Sequence, residues 1–236
     1  MQGTSQLYQA LLVDPSSMVQ WQAEIAGVIY SQDRIVSCSV SNQLFASKTL
    51  SVGSCCGAEI DLSIRNPGEI PRMAEIDLFA RLSGKAGESE WIPKGVFYID
   101  TREVDNRENS GNTNDIMTIH GYDAMLKAEQ VYLQQGDVGT WPRAMTTVVN
   151  EICTRMGVEL DSRTALNGSY QVEYPNDYTM REVLGYIGAV NGGNWIITET
   201  GKLRLVRLNE LPPETFLLVT ENGSPIRFGE VRILVG

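Results

Sequence analysis

Apolar and polar positions alternate along much of the first half of this chain, and the spacing changes from two to about four in the second half. Ala58-Glu59-Ile60-Asp61-Leu62-Ser63-Ile64 alternates without a break, and Ala74-Glu75-Ile76-Asp77-Leu78-Phe79-Ala80 does so over most of its length. Period two puts successive side chains on opposite faces of a strand, so these segments predict half-buried antiparallel strands. Ile25, Ile29, Ile35, Val36 and Val40 lie in short β-branched runs that predict further strands. Asn66-Pro67-Gly68 and Ser83-Gly84-Lys85-Ala86-Gly87 supply turn chemistry between them. Gly95 to Ile99 predicts another strand. Asp105 to Asn114 predicts a polar hairpin loop with Gly111 near its tip, and Ile116 to Gly121 the return strand. Only Gln6 to Val13, ended by Asp14-Pro15, reads differently in this region, as a short amphipathic stretch.

The texture changes after about residue 127. Ala144, Val148, Ile152 and Met156 recur every four residues, one apolar stripe of a helix. Thr140-Trp141-Pro142 predicts its start, and Gly157 its stop. Thr179-Met180-Arg181-Glu182 has the spacing of a capping box and predicts a second helix, with Val183, Leu184, Ile187 and Val190 on its apolar face. Asn191-Gly192-Gly193 ends it. Asn194 to Thr198, a turn at Glu199 to Lys202, and Leu203 to Val206 then predict a hairpin. In the last stretch, Leu211-Pro212-Pro213 reads as a linker, and Phe216 to Val219 and Val231 to Val235 as strands around Asn222-Gly223. The expected division is 1–127 as a β domain, 128–206 as an α/β domain of two helices and a hairpin, and 207–236 as a last stretch of strands. The expected class is α+β, mainly β, with an antiparallel barrel.

Composition changes the picture mainly by exclusion. The 236 residues are 42% hydrophobic and 20% charged, enough to bury a core without staples. No run of eighteen apolar residues predicts a membrane span. The first twelve residues have neither a basic region nor a continuous apolar run, so no secretory signal is expected. The net charge is −10, and the basic residues form no stripe, which argues against specific nucleic-acid binding.

Candidate chemistry is sparse. His120 is the single histidine, so any histidine-based triad must use it, and it is placed at a strand end before Gly121-Tyr122-Asp123. Cys38, Cys55, Cys56 and Cys153 include no C-x-x-C pair and read as reduced, partly buried thiols. Asp61 and Asp77, like Glu59 and Glu75, fall on polar strand faces; a glycosidase would need two such groups across a cleft. The acidic stretch from Asp100 to Asp115 departs from EF-hand spacing. Trp21, Trp91, Trp141 and Trp195 read as packing residues. No catalytic, cofactor-binding or metal-ligating residue is therefore assigned, no cofactor is expected, and the chain is expected not to be an enzyme.

Gly95-Val96-Phe97-Tyr98-Ile99-Asp100, a polar loop, then Met117-Thr118-Ile119-His120-Gly121-Tyr122-Asp123-Ala124-Met125-Leu126 resembles the baseplate hub proteins of tailed phages and phage-tail-like particles, and more distantly the hub of type VI secretion spikes. Glu24 to Gly27, the strand at Ile35, Val52 to Ile64, Thr179 to Leu184, Gly193 to Ile197 and Gly201 to Leu205 follow in the order of that family. The resemblance implies a tail-tube-like β-barrel with an α/β domain. It implies a structural subunit of the tail tip joining the tube to the tip or spike, and a homotrimer in the assembled particle. Its partners would be tail tube, distal tail or spike proteins, with no membrane partner. Its place would be the virion tail, assembled in the bacterial cytoplasm around a lumen that passes DNA. The segment Arg227 to Val235 resembles the start of a second barrel, so the resemblance implies that 207–236 are strands completing the first barrel or starting a second, truncated one. The alternative is a host-attachment or carbohydrate-binding β-module, marked by exposed tryptophans along one groove. A cell-wall hydrolase, marked by paired carboxylates, is the third possibility.

Overall fold

The computed structural model describes residues 3–45, 50–105, 115–134 and 139–208, and the backbone of 227–228 and 231–232. In chain order the elements begin with helix α1 (Gln6–Leu12) and strands β1 (Met18–Ile25), β2 (Val28–Tyr30), β3 (Ile35–Ser41), β4 (Cys55–Cys56) and β5 (Glu59–Arg65). Strands β6 (Glu75–Gly84), β7 (Gly87–Glu88), β8 (Ile92–Asp105) and β9 (Ile116–Asp123) follow, then a 3-10 helix (Ala124–Glu129). The second half has β10 (Arg143–Ala144), α2 (Met145–Met156), β11 (Gln171–Val172), α3 (Met180–Val190), β12 (Gly193–Ile197) and β13 (Leu203–Arg207). Two last strands, β14 (Arg227–Phe228) and β15 (Val231–Arg232), pair antiparallel. The expected Leu211–Pro213 linker, the Phe216–Val219 strand and the tip of the loop after Asp105 lie outside the described residues.

The main sheet has the order β2-β1-β6-β8-β9-β5-β3, all antiparallel, with β7 added to β6. Its period-two segments bury every second residue as their patterning requires. Ile60, Leu62 and Ile64 of β5 face the core while Glu59, Asp61 and Ser63 face away. Each such aliphatic contributes about 1.5–3 kcal/mol by leaving water.

The sheet cannot be flat. Its two edges, β2 and β3, are joined only by Ser31–Arg34, a turn closed by N–H groups of Arg34 and Ile35 on the Ser31 carbonyl. Seven flat strands would separate those edges by about 29 Å, whereas Tyr30 to Ile35 can span at most about 18 Å. The sheet therefore curls back on itself until β1 and β3 come into contact. Ladder irregularities at Ile35/Ser37, Leu78/Phe79 and Ile99/Thr101 add the local twist that a curl needs. One apolar cluster fills the inside, with Ala23 and Ile25 from one end, Ile35 from the other, and Ile76, Leu78, Phe97, Ile99 and Ile119 between. No ladder closes β2 onto β3 among the described residues, so the expected barrel is a curled, open one.

A second cluster holds the α/β unit together: Met125 of the 3-10 helix, Val148, Ile152 and Met156 of α2, Val183, Leu184 and Ile187 of α3, and Trp195, Leu203 and Leu205 of the hairpin. Trp195 is fully buried, and its indole N–H donates to the Leu184 carbonyl at 2.7 Å. The capping box is formed: the Thr179 hydroxyl accepts from the Glu182 amide, and the Glu182 carboxylate accepts from the Thr179 amide. Gly157 stops α2 with φ +71, the left-handed conformation in which glycine has no Cβ penalty.

Three expectations are corrected. Helix α2 starts at Met145 and not near Pro142, because Arg143 and Ala144 are held extended by pairing with Val172 and Gln171. Ala144 is consequently an exposed N-cap and not part of the apolar stripe. Strand β9 runs on to Asp123, so His120 lies inside a strand and not at its end.

A further unexpected element is β4. Cys55 and Cys56 pair in parallel with Trp195 and Ile196, adding a third strand to the hairpin sheet from far up the chain. Asn194, wholly buried, clamps the approach: its side-chain oxygen accepts from the Ser54 amide, and its NH2 donates to the Ser51 and Leu44 carbonyls, each at 2.9 Å.

Candidate functional site

The residues able to do chemistry are dispersed. His120 on β9 faces Asp61 on β5 across the ladder, and its Nδ1 lies 2.8 Å from an Asp61 carboxylate oxygen. Tyr122 meets the imidazole edge-on at 4.8 Å between ring centroids. This pair sits on the exposed side of the sheet. Asp77 is cross-strand to Glu24, and its carboxyl is pushed up by burial first, then by the nearby charges of Glu75 and Glu24. No group of three or more His, Cys, Asp or Glu side chains able to hold a metal gathers among the described residues. All four thiols are unpaired. Burial pushes Cys38 and Cys55 up to about 12 and Cys153 up to about 11, which keeps them protonated and weakly nucleophilic.

The most perturbed carboxyl lies at the junction of the two units. Asp123 ends β9, and its carboxylate accepts from the backbone N–H of Ala58 at 2.7 Å and of Met125 at 2.9 Å. Burial raises it to about 6, against the pull of those two amides and of the Arg181 charge. Its role is positional: it ends the ladder between β5 and β9 and caps the 3-10 helix.

The tryptophans do not share a groove. Trp195 is in the core, Trp21 packs against the curled sheet, Trp91 lies under the Arg81 guanidinium, and Trp141 is stacked by Arg143. The exposed rings that do gather are tyrosines. Tyr174, Tyr178 and Tyr186 are 52%, 41% and 58% exposed. With Met145, Val172, Pro175 and Val190 they line a cleft of about 340 Å³ between α3 and the segment after β11. Tyr178 and Tyr186 stand 5.3 Å apart, and Tyr174 takes the edge of Trp141 at 5.9 Å. Val190, expected on the buried face of α3, is exposed because it borders this cleft. The signal missed in the sequence was the recurrence of tyrosine at Tyr170, Tyr174, Tyr178 and Tyr186, whose spacing of four and eight crosses a non-helical segment and the turn into α3 and so marks no single element.

Apolar side chains are also exposed along the edges of the curled sheet: Val28 and Ile29 on β2 and Val36 on β3. Strand edges carrying exposed apolar residues are templates for pairing with another chain unless something covers them.

A mainly β α+β chain, built as a curled antiparallel sheet with a helix–helix–hairpin unit on its end, has counterparts among phage tail proteins of known structure. The 43 kDa tail protein of prophage MuSo2 from Shewanella oneidensis matches with a TM-score of 0.52 at 11% identity, over 85% of this chain and 59% of that one. The tail protein from Neisseria meningitidis MC58 matches with a TM-score of 0.52 at 10% identity, over 86% of this chain and 55% of that one. At such identities the likeness is one of fold. The chain spans less than two thirds of the length of either. No protein-family model and no curated protein matches the sequence. Among the described residues no helix is long and apolar enough to cross a membrane.

Proposed function

We propose that this chain is a structural subunit of a phage or prophage tail, acting at the tail tip as the baseplate hub that joins the tube to the tip or spike. The observation that carries the reading is the fold shared with two tail proteins over 85% and 86% of the chain. The order of motifs from Glu24 to Leu205 supports it. So do the apolar edges of the curled sheet, which suit pairing between subunits. The role is mechanical and not catalytic. Neighbouring tube, distal tail or spike proteins are the partners, the assembled state is a homotrimer, and the site of action is the virion tail. The net charge of −10 suits the wall of a channel along which DNA slides without sticking.

The test is mass measurement in solution over a hundredfold range of concentration. A trimer that forms as concentration rises supports the reading. A chain that stays at its single-subunit mass of 26.1 kDa throughout counts against it.

A further inference from the structure

We propose that the tyrosine-lined cleft beside α3 docks a proline-containing apolar segment, flanked by lysine or arginine, from a partner protein.

Three features of the cleft argue for that occupant. Its volume of about 340 Å³ is at the size of an enclosed ligand site, yet its walls are side chains of Val172, Tyr174, Pro175, Tyr178, Tyr186 and Val190, with few polar groups to fix a small polar molecule. Aromatic walls of this kind receive proline-rich segments, whose extended conformation is already ordered and costs little entropy on docking. The rings are braced in place by the Tyr178–Tyr186 and Trp141–Tyr174 contacts.

Charge selects the flanks. Glu173 lines the cleft, Asp177, exposed, precedes Tyr178 in the chain, and Glu182, exposed, acts electrostatically on Tyr186. No lysine or arginine lines it. Arg181, at the start of α3, is paired with Glu129 at 2.8 Å. An acidic rim favours a basic partner and speeds its encounter. The same rim disfavours two other occupants. This chain's own Leu211-Pro212-Pro213 is bracketed by Glu210 and Glu214, and a second copy carries the same net charge of −10. The inference rests on the cleft and not on the tail-hub reading, and its failure would leave that reading untouched.

The experiment titrates the full chain with the synthetic peptide Lys-Lys-Leu-Pro-Pro-Leu-Lys-Lys by calorimetry, with Glu-Glu-Leu-Pro-Pro-Leu-Glu-Glu as the control. The expected result is saturable binding of the first peptide and at least tenfold weaker binding of the second. Tyr186→Ala weakens the first peptide at least tenfold, and Glu173→Gln with Asp177→Asn weakens it severalfold and flattens its salt dependence. Tyr186 and both carboxylates are exposed, so these variants keep the fold. Equal binding of the two peptides, no binding, or indifference to Tyr186→Ala overturns the proposal. So does a severalfold gain in affinity on Leu211→Asp, which would make the chain's own segment the occupant. Self-association that Tyr186→Ala abolishes would make it a second copy, and overturns the proposal equally.

Discussion

Ala58 and Asp123 exchange two hydrogen bonds: the Ala58 amide donates to the Asp123 carboxylate at 2.7 Å, and the Asp123 amide donates to the Ala58 carbonyl at 3.0 Å. The pair ends the ladder between β5 and β9 and, through the Met125 amide, starts the 3-10 helix. It is the point at which the curled sheet becomes the α/β unit. The carboxyl of Asp123 is raised to about 6 from an unfolded value of 3.8, so the folded chain holds this proton more tightly than the unfolded chain. Its contribution to stability therefore rises as pH falls through about 6 and is complete below 3.8. Asp77, also raised, acts in the same direction. Asp161, Glu159 and Glu182, all held low by their partners, act in the opposite direction only at more acid pH. Urea denaturation should show stability rising from about pH 7 to about pH 5, with a shallower rise in Asp123→Asn. That variant should also lose about 1–3 kcal/mol, because an amide cannot accept both backbone donors without placing its own N–H beside one of them.

The clamp around Asn194 depends on a backbone approach that only glycine permits. Gly53 has φ +83, and a Cβ there would lie 2.8 Å from the Gly185 carbonyl oxygen of α3 and 2.9 Å from the Ala189 methyl. Gly53→Ala should cost about 2–4 kcal/mol, the strain of a left-handed alanine plus the displaced helix. Thermal denaturation reads it directly. A variant as stable as the parent would mean that the segment before β4 is not held against α3.

The two helices differ at their starts. Thr179 caps α3 through the Glu182 amide, so Thr179→Ala should destabilise by about 1 kcal/mol. Ala144 caps α2 with an extended backbone and no side-chain hydrogen bond. Ala144→Ser should supply the missing acceptor and stabilise by about 0.5–1 kcal/mol. Chemical denaturation of the pair checks both signs.

Much of the architecture was legible because burial alternates with the sequence. Strands β5 and β6 follow from period two, β9 from its place after the polar loop, the hairpin β12–β13 from apolar runs about the turn at Glu199 to Lys202, and α3 from its capping box. What escaped has no local signature. Strand β4 is two cysteines whose partners, Trp195 and Ile196, lie in the second half of the chain. The curl was expected as a barrel, but its open seam, with β2 joined to β3 by a short turn and no ladder among the described residues, is not encoded in a strand pattern. Pro142 pointed to a helix start that the β10–β11 pairing delays. The tyrosine cleft joins an irregular segment to the exposed side of α3, so the spacing of Tyr174, Tyr178 and Tyr186 belongs to no single element and announces no shared face.

The buried thiols give a simple solution check. With Cys38 and Cys55 pushed up to about 12, native protein at pH 8 should react slowly with a disulfide reagent, and all four thiols should react at once after denaturation. Rapid native labelling would place these side chains nearer solvent than the fold does.

The central claim is a place at the tail tip. Gold-labelled antibody against this chain, applied to intact tail particles from the cell that encodes it and viewed by electron microscopy, tests that claim most directly. The account predicts label confined to the tip, at the junction with the tube; label along the tube or sheath, or particles that form normally and carry none, would contradict it.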